Sequence, residues 1–293
     1  MAISASMVKE LRDRTGAGMM ECKKALVEAD GDMDQAVEAL RKSGQAKADK
    51  KSGRVAAEGR IVVASDGQRA VLVEVNSETD FVAKDDNFTA YAEAVAALAL
   101  EQGITDVAAL SAAELGDGRT VEAARTELVA KVGENIGIRR IAAIEAGDNL
   151  GSYTHGLRIG AVVAMDGGDA ELARDIAMHV AATNPVCVDE DGVPADVLER
   201  ERRIFAEQAA ESGKPPEIVE KMVTGRVAKF LKEITLVGQP FVKDPDVAVG
   251  KLLAKAGAKV TGFERYEVGE GIEKKQENFA EEVMKQIKDS AAG

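Results

Sequence analysis

Only two side chains in this chain normally titrate near neutral pH, His155 and His179, and only two carry a thiol, Cys22 and Cys187. A histidine acts as general acid or base only with a nucleophile, metal or substrate proton within reach. His179 lies between Met178 and Val180 in an apolar run, the setting of a structural histidine. His155 sits in the turn-like run Tyr153-Thr154-His155-Gly156 with no nucleophile beside it. The two cysteines are far apart and form no CxxC pair, as expected of plain buried or half-buried thiols in a reducing compartment. No GxSxG, HExxH or GxxxxGK[ST] occurs, and Gly16-Ala17-Gly18 lacks both the preceding strand and the third glycine of a nucleotide fingerprint. The residues therefore predict no catalytic group, no metal and no cofactor, and an enzyme built on His155 or Cys22 is the weaker alternative.

The chemistry that remains is recognition. In Glu74-Val75-Asn76-Ser77-Glu78-Thr79-Asp80-Phe81-Val82-Ala83-Lys84-Asp85 an alternating apolar strand turns polar, then presents an aromatic where a helix begins. Aromatics make up only 3% of the chain and Trp is absent, so Phe81 at such a corner invites explanation. One reading packs Phe81 on its own helix or core, with Asp80 capping the helix. The other leaves it outside, as a wedge for another molecule. Met19 and Met20 begin a helix directly after Gly16-Ala17-Gly18; one is expected in a core and the other in an adaptable contact patch.

The elements that must hold these residues follow from periodicity and punctuation. A short helix is expected after Ser4, a second from Met19 to Ala29, and a third from Asp32 to Lys42 with Met33, Ala36, Val37 and Leu40 on one face. They make a helical bundle over residues 1–45, followed by a Lys-, Gly- and Ala-rich linker or loosely held helix at 46–58. Ile61–Ala64, a turn at Ser65-Asp66-Gly67-Gln68 and Ala70–Val75 form a hairpin, and a helix follows from Asp86 to Glu101. A helix over Val121–Val132 ends at Gly133, and Ile136–Ile144 reads as a strand leading into a second unit. A similar hairpin-plus-helix pattern returns around Ile159–Ala164 and Asp169–Ala182, so two related subdomains are expected at 59–148 and at 149–188 with 235–268. Between the two parts of the second, residues 189–234 form a helical hairpin broken at Ser212-Gly213-Lys214-Pro215-Pro216. Its apolar stripes are expected to pack on each other, with surface left for self-association. Val260–Val268 completes the second sheet, and residues 269–293 end in a helix with Phe279, Val283, Met284 and Ile287 on one side. The fold class is α+β.

The formal net charge of −13 opposes direct nucleic-acid binding, although residues 1–60 carry a slight basic excess. The start lacks the progression of a secretory signal, and no apolar run reaches the roughly 18 residues that span a bilayer. A cytoplasmic protein without membrane contact is expected.

Four segments together resemble the elongation factor Ts family: Thr79-Asp80-Phe81-Val82-Ala83-Lys84, Leu11 through Leu26, Lys131-Val132-Gly133-Glu134-Asn135, and Gly151-Ser152-Tyr153-Thr154-His155-Gly156. Ser77, Glu78 and the Gly116-Asp117-Gly118 loop are minor departures. The resemblance implies a bundle of the ubiquitin-associated type and a guanine-nucleotide exchange factor for the GTPase elongation factor Tu. It implies that Phe81 intrudes between helices of the GTPase and dislodges Mg²⁺, with Thr79, Asp80 and Val82 shaping the loop. Met19, Met20, Val132, Gly133 and His155 are implied as further partner contacts. An adaptor that binds without altering a nucleotide site is the alternative.

Overall fold

The computed structural model describes residues 3–273, so the C-terminal helix expected around Phe279–Ile287 lies outside the described residues. The chain opens with three helices: α1 (Ala5–Thr15), α2 (Met19–Glu28) and α3 (Met33–Lys51). Ser4 and Asp32 cap α1 and α3 by accepting from the Met7 and Gln35 amides, and Gly16 ends α1 at φ 66°. Val8, Leu11, Cys22, Ala25, Leu26 and Ala36 form their shared core.

The third helix does not stop at Lys42. It continues to Lys51 because Ala, Lys and Gln are good helix formers, and its small residues permit a close approach to another helix. Gly44 is buried, a Cβ there meeting Ala130 Cβ at an ordinary contact distance of 3.6 Å, and Ala48 is buried in the main core.

Two three-stranded antiparallel sheets follow. Strands β1 (Glu58–Ser65), β2 (Arg69–Ser77) and β3 (Gly137–Glu145) form the first, in the order β1-β2-β3. The expected turn joins β1 to β2, with Asp66 Oδ1 accepting from the Gln68 and Arg69 amides. Between β2 and β3 run α4 (Asp80–Ala83), α5 (Asp86–Gln102), α6 (Val107–Ala112) and α7 (Val121–Val132). Strand β3 thus pairs in the first sheet, and the chain passes from it into the second. The second sheet takes β4 (Asn149–His155) and β5 (Ile159–Asp166), then helix α8 (Ala170–Thr183). A helical arm comes next, α9 (Ala195–Ala210) and α10 (Pro216–Ile234), before the small hairpin β6 (Pro240–Phe241) and β7 (Asp244–Ala248). Helix α11 (Val249–Lys255) leads into β8 (Lys259–Glu267), which pairs with β5 and closes the order β4-β5-β8.

Strand β2 is buried on both faces, and its period of two divides its side chains between two cores. Val71, Val73 and Val75 meet Phe88, Val95 and Leu128 of α5 and α7. Ala70 and Leu72 meet Val162 of β5 across the gap between sheets. Ala161, Val163 and Met165 of β5 face α8 on the far side. The layers are therefore helices, sheet, sheet, helix. A Cβ on Gly160 would lie 2.6 Å from Ile61 Cγ2, so only glycine lets the sheets approach this closely.

The same alternation carries Glu74 into the inter-sheet layer, where it is fully buried. Its carboxylate accepts from Arg140 Nε at 2.5 Å, Arg139 Nη1 at 3.1 Å, Asn76 Nδ2 at 3.0 Å and the Gly269 amide at 2.8 Å. Arg140 also stacks 4.0 Å from the Tyr266 ring centre. Burial pushes the Glu74 carboxyl up, but the bonds from Gly269, Asn76 and Arg140 outweigh it and hold the group below its ordinary value.

The arm packs largely on itself. Phe205 and Phe230 meet edge to face at 6.2 Å, only Ala209 and Val223 are buried along its two helices, and Ile218 is exposed.

Candidate functional site

The site is a corner. Strand β2 ends at Ser77, its hydroxyl donating to the Thr79 carbonyl at 2.8 Å, and the chain turns into α4. Thr79, not Asp80, caps that helix: its Oγ1 accepts from the Val82 amide at 3.4 Å. Asp80 is the first helical residue and is exposed, its carboxyl held below the ordinary range by the hydrogen bond from Lys84 at 2.6 Å. Ala83 is buried and Val82 is half-buried against the main core, so both anchor the turn. Phe81 points the other way, with 81% of its surface exposed. Packing on its own core is thereby set aside.

The corner is braced by the segment after α7. Gly133, at φ 83°, ends that helix, and its carbonyl accepts from Lys51 at the end of α3. Glu134 then turns back: Oε2 accepts from the Thr79 amide at 2.9 Å, and Oε1 from the Thr79 hydroxyl at 2.7 Å. The Asn135 amide donates to Glu78 at 2.6 Å, while Asn135 Nδ2 donates to the Arg54 carbonyl at 2.8 Å. Val132 itself is half-buried against the main core. The segment Val132 to Asn135 thus holds together the corner, the end of α3 and the chain leading to β1.

His155 ends β4 and is exposed, its Nδ1 3.4 Å from the Tyr153 hydroxyl. It lines one cleft with Gly59, Asp80, Lys84, Arg158 and Glu267, so residues distant in sequence meet beside the corner. Met19 and Met20 do not line that cleft. They are 60% and 74% exposed on α2, which corrects the expectation that one of them fills the bundle core; Leu11, Cys22 and Leu26 do that. His179 is fully buried: Nδ1 accepts from the Val242 amide at 3.1 Å, so Nε2 donates to Gln239 Oε1 at 2.9 Å. Among the described residues there is no group of three or more His, Cys, Asp and Glu that could hold a metal ion, and no helix long and apolar enough to cross a membrane.

Reading from residues alone did not single out Glu134, Glu78 and Asn135. The available signal was an acid and an amide directly after a helix-ending glycine, polar groups with short reach to a neighbouring backbone.

The arrangement defines a class: an α+β protein that mounts one exposed aromatic on a braced corner between its two sheets and their helices. The family model described as Elongation factor TS matches residues 78–270. The elongation factor Ts of Thioalkalivibrio sulfidiphilus (strain HL-EbGR7) is 65% identical over 292 residues, covering 98% of this chain and 99% of that protein. That of Alkalilimnicola ehrlichii (strain ATCC BAA-1101 / DSM 17681 / MLHE-1) is 63% identical over 99% of this chain and all of its own length, and that of Legionella pneumophila (strain Lens) is 57% identical over 98% and 99%. The chain belongs to the elongation factor Ts family, translation elongation factors with nucleotide-exchange function.

Proposed function

We propose that this chain acts in the cytoplasm on elongation factor Tu, and that it speeds GDP release by driving Phe81 into the GTPase so that the hold on Mg²⁺ weakens. The observation that carries the reading is the Phe81 ring, 81% exposed on a corner fixed by four hydrogen bonds, two from Thr79 to Glu134, one from Val82 to Thr79 and one from Asn135 to Glu78. An apolar ring held in water by its own fold gains from burial in a partner. An exchange factor must bind the nucleotide-free, distorted state of its partner better than the loaded one. Weakening nucleotide affinity by about 10⁴-fold needs roughly 5.5 kcal/mol of such preference. Burying one Phe side chain contributes about 1.5–3 kcal/mol. The rest comes from an extended surface, for which Asp80, His155 and the exposed Met19 and Met20 are the candidate members, with Val132 and Gly133 shaping the support.

The test is stopped-flow release of a fluorescent GDP analogue from elongation factor Tu. Phe81→Ala is expected to slow the stimulated maximum rate by about 10- to 100-fold, the equivalent of the lost ring burial. Binding to the nucleotide-free GTPase should survive through the remaining surface. An unchanged rate would refute the wedge.

A further inference from the structure

We propose that Glu134 is a positioning residue for exchange: its carboxylate sets the direction of Phe81 by gripping Thr79, the residue that caps the turn carrying the ring. This rests on the reading of Phe81 as the wedge.

The geometry is specific. One carboxylate takes both donors of one residue, the Thr79 amide on Oε2 at 2.9 Å and its hydroxyl on Oε1 at 2.7 Å. Because that hydroxyl hydrogen is directed at Glu134, Oγ1 keeps its lone pairs for the Val82 amide at 3.4 Å. Glu134 therefore orients the atom that starts α4. A helix of four residues has too few internal hydrogen bonds to hold itself, so its direction comes from its cap and its buried side, here Ala83. Glu78, the residue before Thr79, is held from the same segment by the Asn135 amide at 2.6 Å. Lys51 fixes the carbonyl of Gly133 on the other side of Glu134. The grip is thus anchored at both ends, and it links the long helix of the N-terminal bundle to the wedge.

Loss of the grip leaves Phe81 present but pointing in its productive direction for only part of the time. A binding-competent fraction of about one tenth raises the apparent dissociation constant about tenfold, about 1.4 kcal/mol. Once bound, the partner itself orients the ring. Glu134→Ala should therefore raise the half-saturating concentration for stimulated GDP release about tenfold and leave the maximum rate within about twofold. Phe81→Ala removes the ring's share of the affinity too, but is set apart by also lowering the maximum rate. Glu134→Gln keeps an acceptor for the Thr79 amide and the same reach, and should recover most of the affinity. Glu134→Asp, one methylene shorter, should not.

The decisive experiment is a double-mutant cycle on full-length protein, with the nucleotide-free GTPase and fluorescent GDP as probes. With Phe81 present, Glu134→Ala should cost about tenfold in half-saturation; in the Phe81→Ala background it should cost less than about twofold, because no ring remains to be aimed. Equal costs in both backgrounds would overturn the proposal and make Glu134 a general structural residue. So would equal affinity for Glu134→Gln and Glu134→Ala, which carries the test if the alanine variant folds poorly. A silent Phe81→Ala would instead sink the wedge reading itself, an outcome separate from either.

Discussion

Glu74→Ala tests how much stability one buried carboxylate contributes in the layer between the two sheets. The substitution removes the acceptor of four donors, from Arg139, Arg140, Asn76 and the Gly269 amide, in a layer from which Glu74 is fully excluded from water. Breaking a buried ion pair from one side typically destabilises by about 3–5 kcal/mol, since the partners lose both charge and hydrogen bonds. Arg139 and Arg140 are 29% and 27% exposed, so they rehydrate in part, which favours the low end. For a chain of this size that is a fall of roughly 6–12 °C in the thermal midpoint. Glu74→Gln keeps the shape and an acceptor for Gly269, and should lose about half as much. The pH dependence follows from the direction of the shift: the folded carboxyl titrates below its unfolded value, so the unfolded state takes up the proton first. The contribution is complete above about pH 4.3 and is lost as the pH falls through the folded value. Calorimetry of both variants between pH 3 and pH 7 reads these effects. A Glu74→Ala midpoint within about 2 °C of the parent at pH 7 would refute that contribution, because so small a change corresponds to about 1 kcal/mol at most.

His179→Leu should destabilise by about 1–3 kcal/mol, mainly by stranding the Val242 amide that donates to Nδ1. Burial pushes the His179 imidazole down against the opposing hydrogen bond with Gln239, so the unfolded state protonates first; parent stability should fall below about pH 6.5 by an increment that His179→Leu lacks, seen in urea midpoints at pH 7 and pH 5. Gly151→Ala should cost about 1–3 kcal/mol, because the new Cβ would sit 2.1 Å from the carbonyl carbon and oxygen of Ala173 and push α8 off the sheet. Gly225→Ala, on the exposed face of α10 with nothing within 4 Å, should instead stabilise by up to about 1 kcal/mol in the same thermal melts.

Elements with strong local signals were legible in the sequence. Ser4 and Asp32 announced helix starts, Asp66-Gly67 a tight turn, and the alternation through β2 and β5 two buried strands. The corner at Phe81 was legible because an aromatic is rare in this chain and stood where strand gives way to helix. What misled was size. The run after Lys42 has few large apolar residues and reads as a linker or a loosely held helix, yet it is helical to Lys51, with Gly44 and Ala48 buried although neither is large. Met19 and Met20 are apolar residues at a helix start, and periodicity alone does not say that Cys22 and Leu26 take the core positions. Glu134 was illegible for another reason: its target is a backbone amide and a hydroxyl far away in sequence, and no local pattern encodes a contact that only the tertiary fold creates.

The rigidity of the corner is as necessary to the proposed wedge as the ring. Fixing the backbone of one residue removes about 1–2 kcal/mol of conformational entropy at room temperature. Were Thr79 through Val82 disordered before contact, ordering them would cost several kcal/mol, more than the roughly 1.5–3 kcal/mol that burying a Phe returns. A floppy Phe81 would then lower affinity for the very state it is meant to favour. In this fold that ordering occurs when the protein folds, with Ala83 in the core, Glu134 on Thr79 and Asn135 on Glu78. The ring's transfer energy is therefore left to distinguish one state of the partner from another, which is what exchange requires.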